Sequence, residues 1–205
     1  LSLPVGHVQS LGATLLVHLL LVPIGALLLG LLGGAVLALL VTLKAFGVSN
    51  LVGLPWGDLL VAVAATTARL MVGVALATAW LSPLILGGMA ASAWLKRWGI
   101  PALVGGLAIG HAVLYKSFGT PIIGQTLREW LAGAALALTG TKGPLHFSNL
   151  DRPDQFAQFL QAWPGALWDN LASAIGLLAV PQLVLGLAIA ASCFCLLVLR
   201  RQRGA

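Results

Sequence analysis

The side chains of this chain that can do acid–base or metal chemistry are few and scattered. Its histidines, His7, His18, His111 and His146, show no i, i+3 or i+4 pairing, and no H-E-x-x-H motif occurs. Metal ligation from a helix needs such spacing, because only residues three or four apart share a face. The five acids, Asp58, Glu129, Asp151, Asp154 and Asp169, stand outside the strongest apolar runs. A membrane protease, a proton-coupled carrier or a metal enzyme needs such groups inside the bilayer, where they are costly and kept only for use. Asp151 and Asp154 flank Arg152-Pro153 and read as a solvated turn. Cys193 and Cys195 are two apart in an apolar run, so they face different sides of a helix and define neither a zinc site nor a disulfide framework. Gly119-Thr120-Pro121-Ile122-Ile123-Gly124-Gln125-Thr126 is close to the phosphate-loop pattern. Gln125 stands where the phosphate-reaching lysine belongs, and no strand–loop–helix context surrounds it, so an ATP site in this chain is not expected.

What must position these residues is a set of apolar segments. Sixty per cent of the 205 residues are hydrophobic, 8% are charged, and mean hydropathy is +1.02. Soluble domains carry about 25% charged residues, so this chain cannot cover a wet surface and reads as an all-α membrane protein. We expect about four transmembrane helices, over residues 11–43, 71–95, 100–115 and 171–199, in a single domain 1–205. The first block is glycine-rich and interrupted by Pro23, with Gly30 and Gly34 at a spacing that lets helices approach closely. Residues 46–58 read as an interfacial connection. Arg69 is placed at the membrane interface as an anchor, since a central arginine costs at least ~2.5 kcal/mol. The second span is expected to kink near Ser82-Pro83, and the last to be interrupted at Pro181. The segment of about 118–170, rich in Gly, Pro and Trp, reads as hugging the membrane outside, with a membrane-dipping helix from about Ile122 to Leu138.

The formal charge of +6 does not point to nucleic acid, because the basic residues flank apolar blocks instead of forming one stripe. By the positive-inside rule, the Lys96-Arg97 turn and the Arg200-Arg201-Gln202-Arg203 tail share the cytoplasmic side. No signal peptide opens the chain, which starts at Leu1, and it is expected to be the later part of a longer protein.

Several stretches occur together in an order that resembles one family. Ser2-Leu3-Pro4-Val5 resembles an S-L-P-V stretch, and Trp80-Leu81-Ser82-Pro83 followed by Ser92-Ala93-Trp94-Leu95-Lys96-Arg97 is similar to a W-x-x-P-L … S-A-W-x-[KR]-R run. Phe118-Gly119-Thr120 matches an F-G-T after the next span, and the final span ends in Arg200-Arg201. Together they resemble the type-2 ABC transporter permeases, the membrane subunits of bacterial exporters; Lys116-Ser117 departs from the family's pattern. The resemblance implies six spans in the full family scheme, of which this chain carries the third to sixth and lacks the first two. It also implies a cytosolic ABC ATPase partner that binds the ATP, a second permease copy, surrounding membrane lipids, and a bacterial cytoplasmic membrane. No cofactor, metal or catalytic residue is implied for this chain. Leu3, Pro4 and Val5 are the implied ATPase-coupling residues. The alternative is a non-transporting membrane scaffold or assembly factor.

Overall fold

Proline decides much of the helix layout. The computed structural model describes residues 7–140 and 153–203, and among these every regular element is helical. Helix α1 (His7–Leu16) passes through a π-helical turn, Val17–Leu21, directly into α2 (Val22–Val52). The wide turn sits just ahead of Pro23, and the Val22 N–H reaches the Val17 carbonyl. Pro23 has no N–H to offer the Leu19 carbonyl four residues back. Thr78 from the next helix donates to that oxygen at 3.2 Å. The Pro23 interruption expected from sequence is therefore absorbed, and the helix continues through it.

The same solution recurs at Pro83, inside α3 (Trp56–Leu95). The carbonyl it leaves unserved belongs to Ala79, and the Ser82 hydroxyl donates to it at 2.8 Å. Helix α3 thus runs unbroken for 40 residues, about 60 Å at ~1.5 Å per residue. Residues 46–52 belong to α2, so the interfacial connection expected over 46–58 shrinks to the turn Gly53–Pro55. Replacing Thr78 with Val should lower stability by about 0.5–1 kcal/mol, a typical value for an interhelical hydroxyl bond in a membrane protein. Thermal unfolding in detergent checks it, and an unchanged melting temperature would mean that the Leu19 carbonyl is served within its own helix.

At Lys96 the backbone takes φ +52°, a conformation that side-chain-bearing residues rarely adopt, and this ends α3. A 3₁₀ turn, Lys96–Trp98, leads into α4 (Gly99–Phe118). Gly99 lies against the Ala91–Ser92 backbone so closely that a Cβ would overlap it, which lets α4 fold back along α3. Gly119, at φ +69°, ends α4, and α5 (Ile122–Thr139) follows. Helix α6 (Pro153–Gly176) ends in a 3₁₀ turn, Leu177–Ala179; Val180 is extended, and α7 (Pro181–Arg203) opens on proline, where a missing N–H costs nothing. The last expected span, 171–199, is thereby divided between the end of α6 and α7.

Among the described residues, three stretches are long and apolar enough to cross a membrane: Val8–Val41, Trp56–Phe118 and Pro181–Gln202. The chain has the build of a helical membrane protein, and its large exposed apolar side chains, such as Leu29, Leu32 and Ile109, accord with lipid as the surrounding medium. The expected third span, 100–115, lies in α4 as part of the second stretch.

Helix α3 is the axis on which the rest pack. Leu11 and Leu15 of α1 lie beside Leu86 and Ala90, whereas Leu31 of α2 shares a cavity wall with Ala62 and Thr66, so α1–α2 runs antiparallel to α3. Helix α5 is antiparallel too, with Gly133 on the Trp80 indole and Ala137 at Gly73. Helices α6 and α7 rise with α3: Gln161 bonds Asp58, Trp163 bonds Thr66, Gly186 abuts Pro83, and the Arg200 guanidinium sits 5.8 Å from the Trp94 ring. That last contact brings the basic tail and the Lys96-Arg97 turn to the same end of the bundle. The main core joins Leu76, Ala77 and Trp80 of α3 with Trp130, Ala134 and Ala137 of α5, Ala174 and Leu183. Helix α5, expected as a membrane-dipping segment, thus packs into the centre of the bundle.

Candidate functional site: a buried arginine junction

Where α3, α5 and α6 meet, a charged side chain is enclosed. Arg69 is only 4% exposed, so its side chain is enclosed by other helices and does not reach outward as the expected anchor would. Its Nε donates to Asn170 Oδ1 at 2.8 Å and its Nη1 to the Ala137 carbonyl at 2.9 Å. Among the described residues, Nη2 has no hydrogen-bond partner and no carboxylate is bonded to the guanidinium.

Two glycines make room for this group. A Cβ on Gly73 would lie 2.8 Å from Arg69 Nη1 and 2.9 Å from the Ala137 carbonyl, so a side chain one helical turn from the arginine would crowd the bond between them. Gly140, at φ +92°, ends α5 and carries the Asn170 carboxamide directly above its Cα, where any Cβ would collide with it. The Ala137 carbonyl lies in the last turn of α5, where carbonyls lack helical partners, and Arg69 supplies a donor. One turn before Arg69, Thr66 accepts a 2.8 Å bond from Trp163 Nε1 and donates to the Ala62 carbonyl. Taken together these contacts pin three helices at one height and leave one guanidinium nitrogen facing no acceptor.

Chemically the junction can do one of two things. A guanidinium holds planar acceptors in fixed directions, so Arg69 fastens α5 and α6 to α3. Its spare N–H groups also suit an oxygen of a carboxylate or phosphate. It offers no nucleophile and no general base. Asn170 went unnoticed in the sequence, where it is a lone amide between Asp169 and an apolar run. The available signal was a pair: a long cation and an amide in two apolar segments, each with a glycine within reach of its side chain.

The other residues singled out by sequence do not converge here. Leu3, Pro4 and Val5 lie outside the described residues, as do His146 and Asp151. Gly119 and Pro121 of the near phosphate-loop form the α4–α5 turn, and the Gln125 amide donates to Glu129 Oε1 at 3.1 Å. His18 Nδ1 lies 2.9 Å from the Thr14 carbonyl in its own helix. Among the described residues, no group of three or more His, Cys, Asp or Glu side chains is placed to hold a metal ion. Cys193 is half-buried beside Leu197 and Ala190, whereas Cys195 is exposed, and both are free thiols. Compared with known family models, characterised proteins and solved structures, the chain gives no match.

Proposed function

We propose that this chain is a membrane-spanning permease subunit of an ATP-driven ABC exporter, forming a substrate pathway while a separate ATPase supplies the energy. One observation carries the reading. Two stretches that resemble the permease family, far apart in the sequence, meet at one end of the bundle: the Arg200 guanidinium lies 5.8 Å from the Trp94 ring. Trp80 and Pro83, on the same helix as Trp94, pack against Gly133 of α5 and Gly186 of α7.

On this reading α3 and α4 cross the bilayer separately, giving about four crossings with α1–α2 and α7. Only part of α3 fits a hydrocarbon core of ~30 Å, and its beginning projects beyond the lipid. Helices α5 and α6 form the dipping segment between the last two crossings. The end bearing Lys96, Arg97 and Arg200 faces the cytoplasm of a bacterial inner membrane, and two copies line the pathway. ATP binding on the partner subunit drives the change of access by favouring one arrangement of the helices over the other.

The test is to isolate the full encoded protein from its native membrane after chemical cross-linking. The expected result is a P-loop ATPase subunit in equal amount, with ATP hydrolysis by the complex and none by this chain alone. A preparation that contains no ATPase subunit would overturn the proposal and favour the membrane scaffold. Hydrolysis by the isolated chain would overturn the division of labour.

A further inference from the structure

Where the first half of α5 meets α3, α4 and α7, the bundle holds an apolar cavity of ≈ 340 Å³. Pro83 and Gly87 of α3 line it, with Leu185, Ile189 and Cys193 of α7, and α4 and α5 complete the wall. It is separate from the Arg69 junction, which meets the other end of α5. Trp130 Nε1 donates to the Gln182 carbonyl at 3.2 Å, and the Thr126 hydroxyl to the Ile122 carbonyl at 2.9 Å. The N–H and O–H groups of the wall are therefore spent, and only the Cys193 thiol, a weak donor, is left. Such a cavity stays dry and suits hydrocarbon; one of ~150 Å³ admits a benzene ring, so this one has room for part of an acyl chain. A Cβ on Gly87 would meet no other group within 4 Å, which leaves the space beside it free.

Helical spacing leads from this cavity to a charge. Leu185, Ile189, Cys193, Leu196 and Arg200 follow one another at intervals of three or four residues, so they share one face of α7. Pro83, Gly87 and Trp94 share a face of α3 by the same rule. The two faces meet where the Arg200 guanidinium sits 5.8 Å from the Trp94 ring. Leu196, between the cavity and the guanidinium, is 45% exposed, so the track joining them is apolar and open. Arg200 stands roughly 10–22 Å beyond the α7 wall of the cavity, at ~1.5 Å per residue. Half of a ~30 Å hydrocarbon core falls within that range.

Charge selects the head group. Lys96, Arg97, Arg200 and Arg201 gather at this end of the bundle, and none of the five acids falls within residues 86–104 or 185–205. An anionic head group balances this charge, whereas a zwitterionic one brings an ammonium that adds to it.

We propose that an anionic phospholipid occupies this track, with one acyl chain in the cavity and its phosphate held by Arg200 beside Trp94. The guanidinium gives the phosphate charge-assisted bonds, and the face of α7 from Leu196 to Leu185 carries the chain. The site requires α3 and α7 to cross the bilayer, and it does not depend on an ATPase partner; it stands or falls apart from the exporter reading.

The experiment uses the full chain purified in mild detergent and mixed with dioleoyl-phosphatidylglycerol, dioleoyl-phosphatidylethanolamine or water-soluble glycerol 3-phosphate, with bound lipid read by native mass spectrometry. Phosphatidylglycerol should be retained about tenfold over phosphatidylethanolamine, and Arg200→Gln should erase that preference, the weight of one charge-assisted bond. Arg200→Lys should keep most of it, and Arg128→Gln on α5 should change nothing. Gly87→Leu, which puts a side chain into the free space, should lower phosphatidylglycerol retention about tenfold. Cys193 reports on the cavity directly: in a Cys195→Ser chain, phosphatidylglycerol should slow its reaction with N-ethylmaleimide about tenfold. Circular dichroism verifies that each variant is folded; if Gly87→Leu is not, the Cys193 rate decides the matter. Equal retention of both lipids by the wild type, or an unchanged preference in Arg200→Gln, would overturn the head-group site. An equal loss in Arg128→Gln would show attraction by net charge alone and overturn it too. Unchanged retention in Gly87→Leu, or an unchanged Cys193 rate, would overturn the cavity as the seat of the chain. Displacement of the lipid by millimolar glycerol 3-phosphate would show a soluble ligand and overturn the lipid assignment.

Discussion

Replacing Asn170 with Leu should lower the melting temperature of the detergent-solubilised chain by about 5–10 °C. The substitution leaves the Arg69 Nε buried without its acceptor, and Nη2 has none among the described residues. Losing a hydrogen bond to a buried charged group costs about 1.5–3 kcal/mol, and a chain of this size shifts by roughly 2–4 °C for each kcal/mol. Arg69→Met should cost less, about 1 kcal/mol, because it removes the enclosed charge together with its bonds and the desolvation that charge demands. The double variant should resemble Arg69→Met, since Asn170 then has no guanidinium to serve. The asymmetry is the point: taking away the acceptor harms more than taking away the cation. Should Arg69→Met prove the more damaging of the two, the guanidinium must be stabilised by more than the two bonds described, and the junction would have to be reread as the seat of a bound anion.

A second large effect is expected at the centre of the bundle. Trp80 is 4% exposed, with its indole laid across Gly133, and belongs to the same cluster as Trp130 and Leu183. Trp80→Ala should cost about 3 kcal/mol, the lower end for aromatic truncation, because lipid leaves only the packing loss and removes the water-transfer gain. Gly133→Ala puts a methyl group into the indole ring and should cost about 1–3 kcal/mol. With Trp80→Ala in place, the ring that the methyl group meets is gone, so the double variant should lose markedly less than the sum. Thermal unfolding of all four proteins in one detergent provides the cycle. Strict additivity would mean that the two residues do not touch.

Hydropathy made the fold class readable, because ~20 apolar residues without charge have few structural alternatives to a membrane helix. The all-helical build followed, as did the shared end of the Lys96-Arg97 turn and the basic tail. The breaks were less legible. Pro23 looked like an interruption and Pro83 like a kink; the hydroxyls of Thr78 and Ser82 serve the carbonyls they leave free, and one of those donors comes from a different helix. Residues 46–52 looked like a connection on account of their turn formers, although a helix in an apolar setting continues through Gly and Asn when nothing else can satisfy its backbone. The enclosure of Arg69 was not legible, because its acceptors, Asn170 and the Ala137 carbonyl, sit on other helices and leave no local trace. The apolar cavity beside Gly87 was hidden for a similar reason, since its wall comes from four helices.

The distances along the chain between Arg69 and its acceptors have a bearing on biosynthesis. The Ala137 carbonyl comes 68 residues after the arginine, and Asn170 comes 101 after it. As the ribosome delivers α3 to the insertion machinery, the cation has no intramolecular counterpart, and it waits through the synthesis of two further helices. On the exporter reading the start of α3 projects beyond the lipid, so water and head groups serve the guanidinium until α6 emerges. A force-profile measurement on the growing polypeptide should record the docking of α6 onto α3, weakened by Arg69→Met.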